Sequence, residues 1–148
     1  MPGYLEAVDA LKALGIDEVI IFCVNDGAVM QAWARDQGVE GSDLLTMMGD
    51  PSGTVTSALG MTLTHPVPMK SLGYARCKRF ALYLEDGTVR LCRISERGPM
   101  GEDDPAGDKY PEETLATAMT KAIRHLRPRS LQSDRRREAT ATSTKKCG

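Results

Sequence analysis

Glu18-Val19-Ile20-Ile21-Phe22-Cys23-Val24-Asn25-Asp26 is the stretch that decides the fold. From Val19 to Val24 the chain is apolar without a break and largely β-branched, the pattern of a strand covered on both faces in a parallel sheet. Asn25 or Asp26 can then cap a helix, in which Val29, Met30, Trp33 and Ala34 form the inward stripe before Gly38 ends it. The run makes a β-α unit and, at six residues, falls far short of the roughly 20 that a membrane span needs.

Upstream, Leu5, Val8, Leu11 and Leu14 recur at three-residue intervals, so a helix is expected over about Tyr4 to Leu14, with Gly15 as a left-handed cap. Downstream, Leu44 to Met48 reads as a second short strand, and Asp50-Pro51-Ser52-Gly53 as a turn into a brief helix from Thr54 to Leu59. Residues 60–76 read as loop. Two strands, Arg79 to Glu85 and Thr88 to Ile94, flank Asp86-Gly87, a strong hairpin signal. After a polar loop over 95–109, Pro111-Glu112-Glu113 opens a last helix with Leu115, Met119, Ala122, Ile123 and Leu126 inward, and Pro128 stops it. No internal repeat is read. The order α-β-α-β-(α)-β-β-α predicts a mixed sheet with helices on both faces. It is close to a thioredoxin-like arrangement, except that the strand usual before the first helix is absent, so something upstream is expected to cover the fully apolar strand.

The 148 residues suit one domain, with 41% hydrophobic and 26% charged residues and a net charge of -1. That average conceals a split. Residues 127–148 hold seven Lys or Arg against two Asp or Glu, a net of +5, which leaves 1–126 at -6. The domain is therefore expected over 2–126, with 127–148 a basic, disordered tail. The Arg135-Arg136-Arg137 and Lys145-Lys146 clusters read as solvated chain, and no nucleic-acid partner is expected. No signal or transit peptide and no membrane span is read, so the expected compartment is the cytoplasm. Cys23, Cys77, Cys92 and Cys147, separated by 54, 15 and 55 positions, match no zinc or disulfide framework and are expected as free thiols.

Three stretches resemble the type II, peroxiredoxin-5-like (atypical) peroxiredoxins of the thioredoxin superfamily. They are Pro2-Gly3-Tyr4, then Val24-Asn25-Asp26 with Met30 and Ala32-Trp33 following, and Arg76 to Gly87 (RCKRFALYLEDG). The resemblance covers about residues 2–126. It implies a thioredoxin-like α/β fold and reduction of hydrogen peroxide and alkyl hydroperoxides by a cysteine thiolate, with glutathione/glutaredoxin or thioredoxin as reductant. It implies no cofactor and no metal, and allows a homodimer. In the family the cysteine lies in a Pro-x-x-x-Thr-x-x-Cys motif, a few residues before a segment that ends in Pro-Gly-Tyr or Pro-Gly-Phe. This chain starts at Pro2-Gly3-Tyr4, with Met1 where the family has the residue before that Pro, and no cysteine matches the motif. The first strand and the peroxidatic segment are therefore expected to be missing, and the chain as written to be inactive.

One family position carries over, Arg79 of the Arg-Phe-Ala strand, whose guanidinium in the family lowers the thiolate pKa and orients the peroxide. The bland alternative is an arginine paired with a surface carboxylate. Cys77, among Arg76, Lys78 and Arg79, is a minor candidate for a substitute thiol, because cationic neighbours can depress its pKa. Cys23 lies two residues beyond Ile21, where plant-type members carry a second cysteine, and reads as a small buried hydrophobe. Cys92 reads as packing. His65 and His125 lack a second ligand at metal spacing and read as structural or surface. Met30 and Trp33 read as core. Two functions stay open, a thiol peroxidase lacking its cysteine segment and a non-catalytic relative that serves as a binding or dimerisation module.

Overall fold

A computed structural model describes residues 1–66, 70 and 75–126, so the basic segment from 127 onward, Cys147 included, lies outside the described residues. The chain opens with α1 (Pro2–Glu6) and α2 (Val8–Ala13) rather than one helix. Ala7, at φ -91° and ψ 3°, breaks the turn between them. Gly15 takes the expected left-handed conformation at φ 73°. α2 and its C-cap serve two clusters. Leu11 packs with Ala34, Val39, Leu44 and Leu45, while Leu14 packs with Tyr83, Met119 and Ile123.

β1 (Val19–Cys23) pairs in parallel with β2 (Leu45–Gly49), in the register Val19 to Leu45 through Cys23 to Gly49. Between them α3 (Gly27–Asp36) starts where expected, because Asp26 Oδ1 accepts from the Val29 N–H at 2.8 Å. Met30 and Ala34 face the core. Two details of the expected pattern are corrected. Val29 is 48% exposed, since Met30 and Ala34 already fill the inward stripe. Ile20 is 51% exposed, so β1 is not covered on both faces. Its Ile20 and Phe22 face is covered at the Phe22 end, where the Phe80 ring packs edge-on at 5.5 Å, and not at Ile20.

α4 (Thr54–Ala58) follows the expected turn. Within the stretch read as loop, β3 (Thr62–Leu63) pairs antiparallel with β4 (Arg76–Cys77), a contact of two residues on each side. Strands that short leave no alternation to read. β5 (Phe80–Glu85) and β6 (Thr88–Ile94) form the expected hairpin. Asp86 and Gly87 take φ of 50° and 72°, as a two-residue turn of the primed type requires. A bulge between Tyr83 and Leu84 leaves Arg90 without a partner in the ladder. Tyr83 and its partner Leu91 turn into the core, so the next pair, Leu82 and Cys92, faces the other way. Cys92 is therefore exposed rather than packed.

The last helix is also divided. A 3-10 turn at Glu112–Thr114 ends at Leu115, whose extended ψ of 152° resets the chain before α5 (Ala116–Leu126). The buried stripe is consequently Ala116, Met119, Thr120 and Ile123, whereas Leu115 and Leu126 are 40% and 50% exposed. The Tyr4 hydroxyl donates to the Thr114 carbonyl at 2.8 Å and ties the first helix to this turn. No helix among the described residues is long and apolar enough to cross a membrane.

Candidate functional site

Arg79 stands at the entrance to β5. Its carbonyl accepts from the Ser95 N–H at 2.9 Å, which fixes the backbone at the far end of β6. Its aliphatic stem lies on Gly107, where an added Cβ would come within 2.7 Å of Arg79 Cβ. The guanidinium reaches Asp108 Oδ1 at 3.8 Å, with the two side chains 43% and 75% exposed. A long pair between two exposed groups contributes little, so the stem is positioned firmly and the charged head loosely. The bland expectation, a surface carboxylate partner, is met without using up the guanidinium's donors.

Two groups feel the Arg79 charge. The Met1 amine is held below its ordinary value, by burial first and by Arg79 second. The start of α1 thus lies within the electrostatic reach of the guanidinium. The second group is the Cys23 thiol. Burial pushes it up, the neighbouring Cys77 adds to that, and Arg76 and Arg79 work in the opposite direction. Cys77 does not show the depressed pKa its basic neighbours suggested. Its thiol is pushed up, because burial outweighs the Val24 amide and the Arg76 charge that would favour the thiolate. Arg76 Nη1 meets Asn25 Oδ1 at 3.4 Å, joining β4 to the turn that caps α3.

Two buried carboxylates shape this surface, Asp50 of the expected turn and Asp104 of the stretch read as polar loop. Asp50 accepts from the Thr56 N–H at 2.9 Å, the Thr56 hydroxyl at 2.8 Å and the Val55 N–H at 3.3 Å. Asp104 accepts from the N–H groups of Asp108, Lys109 and Tyr110 at 3.2, 2.9 and 2.9 Å. Each opens the same four-residue turn, Asp50-Pro51-Ser52-Gly53 and Asp104-Pro105-Ala106-Gly107, with the Gly N–H bonded to the Asp carbonyl at 2.9 Å. Gly53 and Gly107 both take a left-handed φ, 67° and 69°. The spacing Asp-Pro-x-Gly was the available signal for both.

The remaining candidates lie apart from this cluster. His125 Nδ1 meets the Lys121 carbonyl at 2.7 Å on the exposed end of α5. His65 is half-buried in a cleft with Lys78, Glu96 and Asp103. Met30 is fully buried and Trp33 half-buried on α3, as core residues. Among the described residues no group of His, Cys, Asp and Glu could hold a metal ion.

Residues 1–104 match the family model described as Redoxin. The chain belongs to the redoxin family. Its relatives are peroxiredoxins. Over 98 residues, 66% of this chain, the redoxin is 37% identical to peroxiredoxin-2B of Arabidopsis thaliana and 33% identical to its chloroplastic peroxiredoxin-2E. It spans 57% and 41% of the lengths of those two proteins. Among solved structures it is similar to reduced Prx3 of Vibrio vulnificus in complex with hydrogen peroxide, at 29% identity and a TM-score of 0.64, over 84% of this chain and 66% of that one. It is similar also to peroxiredoxin 5 of Alvinella pompejana, at 27% identity and a TM-score of 0.64, over 84% and 67%. These likenesses bear out the thioredoxin-like fold of the peroxiredoxins, with its parallel and antiparallel strand pairs and flanking helices. The matched residues of the redoxin include Arg79 and the whole β1 to α3 unit.

Proposed function

We propose that these residues form the peroxide-orienting side of a type II thiol peroxidase, which reduces hydrogen peroxide and alkyl hydroperoxides. The observation that carries this reading is Arg79. It is held at the backbone by Ser95 and at the stem by Gly107, and its charge reaches the Met1 amine at the start of α1. A family cysteine segment leads into that same Pro2-Gly3-Tyr4 helix, so its thiolate would approach from the side on which the Arg79 charge is felt. There Arg79 would favour the thiolate and hold the peroxide oxygens, and the sulfenic acid formed would be returned to thiol by glutathione/glutaredoxin or thioredoxin. None of Cys23, Cys77, Cys92 and Cys147 stands in a Pro-x-x-x-Thr-x-x-Cys motif. The 148 residues alone are therefore expected to be inactive.

The test compares the chain as it stands with a version carrying that motif in front of Pro2. Peroxide consumption should be at background for the first and measurable for the second. In the second, Arg79→Gln should lower kcat/KM by about a hundredfold, the usual effect of losing one preorganised donor to the transition state. Turnover by the unextended chain that vanishes in Cys77→Ser would overturn the assignment and make Cys77 the nucleophile.

A further inference from the structure

Among the described residues, Asp108 is the carboxylate that meets the Arg79 guanidinium, with its Oδ1 3.8 Å from Nη2. The ion pair is not what holds it there, because a contact this long between two exposed side chains contributes little. Its own loop does so. The Asp108 N–H donates to Asp104 Oδ1 at 3.2 Å, the Gly107 N–H donates to the Asp104 carbonyl at 2.9 Å, and Asp104 is itself buried. Gly107 in turn lies against the Arg79 stem. The loop thus sets a carboxylate beside the guanidinium at a position the family model, which ends at residue 104, does not reach.

We propose that Asp108 is a specificity residue that sets the charge of the peroxides Arg79 accepts, favouring neutral hydroperoxides over anionic ones. This selectivity rests on the proposed peroxidase, whose peroxide-orienting residue it concerns. A lone exposed guanidinium draws small anions from solution. With a negative charge fixed 3.8 Å away, an approaching anion meets a repulsion that offsets the attraction, whereas a neutral peroxide meets neither. The pair is weak and the guanidinium carries five N–H donors, so a neutral peroxide still finds donors to bind. Asp108 makes and breaks no bond. It acts on which substrate arrives and leaves the chemical step to the thiolate and Arg79.

Two measurements test it, and the first uses the chain as it stands. Inorganic phosphate is titrated into the parent and into Asp108→Asn, and the amide shifts of Arg79 and Gly107 are followed by NMR. The variant should bind phosphate about threefold more tightly, with a smaller gain at high salt. Asp86→Asn removes the same charge at the hairpin turn, at the other end of β5 from Arg79, and should leave the affinity at the parent's value. Equal affinity in Asp108→Asn and the parent, or the same gain in Asp86→Asn, would overturn the proposal. The second measurement compares, in the version carrying the cysteine motif, a short hydroperoxide bearing a carboxylate with the methyl ester of the same compound. Asp108→Asn should raise the acid-to-ester ratio of kcat/KM about threefold, a ratio that a merely structural effect would not move. An unchanged ratio with turnover intact would overturn the proposal alone. No turnover of any peroxide would overturn the peroxidase reading, and the selectivity with it, whatever the phosphate titration gives.

Discussion

At the scale of single residues, the placement of Arg79 depends on an absent side chain. Gly107 has φ of 69°, and a Cβ there would press on the Ser95 carbonyl and lie 2.7 Å from Arg79 Cβ. Neither neighbour can yield easily, because the Ser95 N–H is bonded to the Arg79 carbonyl. Gly107→Ala should therefore cost about 1–3 kcal/mol from overpacking, with left-handed strain added, read as a lower urea midpoint at unchanged slope. In the cysteine-bearing version it should also lower kcat/KM, although residue 107 touches no substrate. An unchanged midpoint would mean that the loop shifts freely and Arg79 is not held from below. Arg79 was legible in the sequence because its neighbours Phe80 and Ala81 lie in a stretch similar to a known family. Gly107 was not, since one glycine among the three of the 95–109 loop carries no local mark of what packs against it.

Elements were legible where a backbone conformation or a cap is written into few residue types. Asp86-Gly87 needs two positive φ angles, and Asp26 supplies the oxygen that a helix start lacks, so the hairpin and α3 formed where expected. The breaks at Ala7 and Leu115 were not legible, because both residues are good helix formers and the breaks serve tertiary packing. The first separates α1 from α2, and the second turns Ala116 and Met119 inward. The hairpin argument has a measurable consequence. Gly87→Val puts a β-branched residue at φ 72°, which should cost about 1–2 kcal/mol. Because β5 carries Tyr83 and β6 carries Leu91 into the second cluster, the loss should appear as global destabilisation. Amide exchange over β5 and β6 should quicken together with that over α5. Faster exchange confined to the turn would show that the hairpin is not coupled to the core.

Over the whole molecule, the two Asp-Pro-x-Gly turns set the response to acid. The Asp50 carboxyl is held below its ordinary value of 3.8, chiefly by the Thr56 N–H and against the cost of burial. For Asp104 burial works upward, but the N–H groups of Tyr110, Lys109 and Asp108 outweigh it, and the net shift is again downward from 3.8. A carboxyl with a lower pKa folded than unfolded binds its proton more weakly in the native state, so the unfolded chain takes up protons first as pH falls. The stability these two groups supply is present in full above 3.8 and is lost as pH falls from there through their folded values. Each turn joins the site to the core, Asp50 through the Cys23 carbonyl and α4, Asp104 through the loop beneath Arg79. Acid should therefore open the Arg79 surface as it unfolds the chain. Urea midpoints should hold steady between about pH 7 and pH 5 and drop towards about pH 3. The Asp50→Asn, Asp104→Asn double variant keeps an acceptor oxygen but not the charge, so it should start lower at neutral pH and fall less on acidification. A double variant with the same acid drop as the parent would place the acid-sensitive groups elsewhere, with Asp43 next in line because its bond to Lys12 also holds its pKa down.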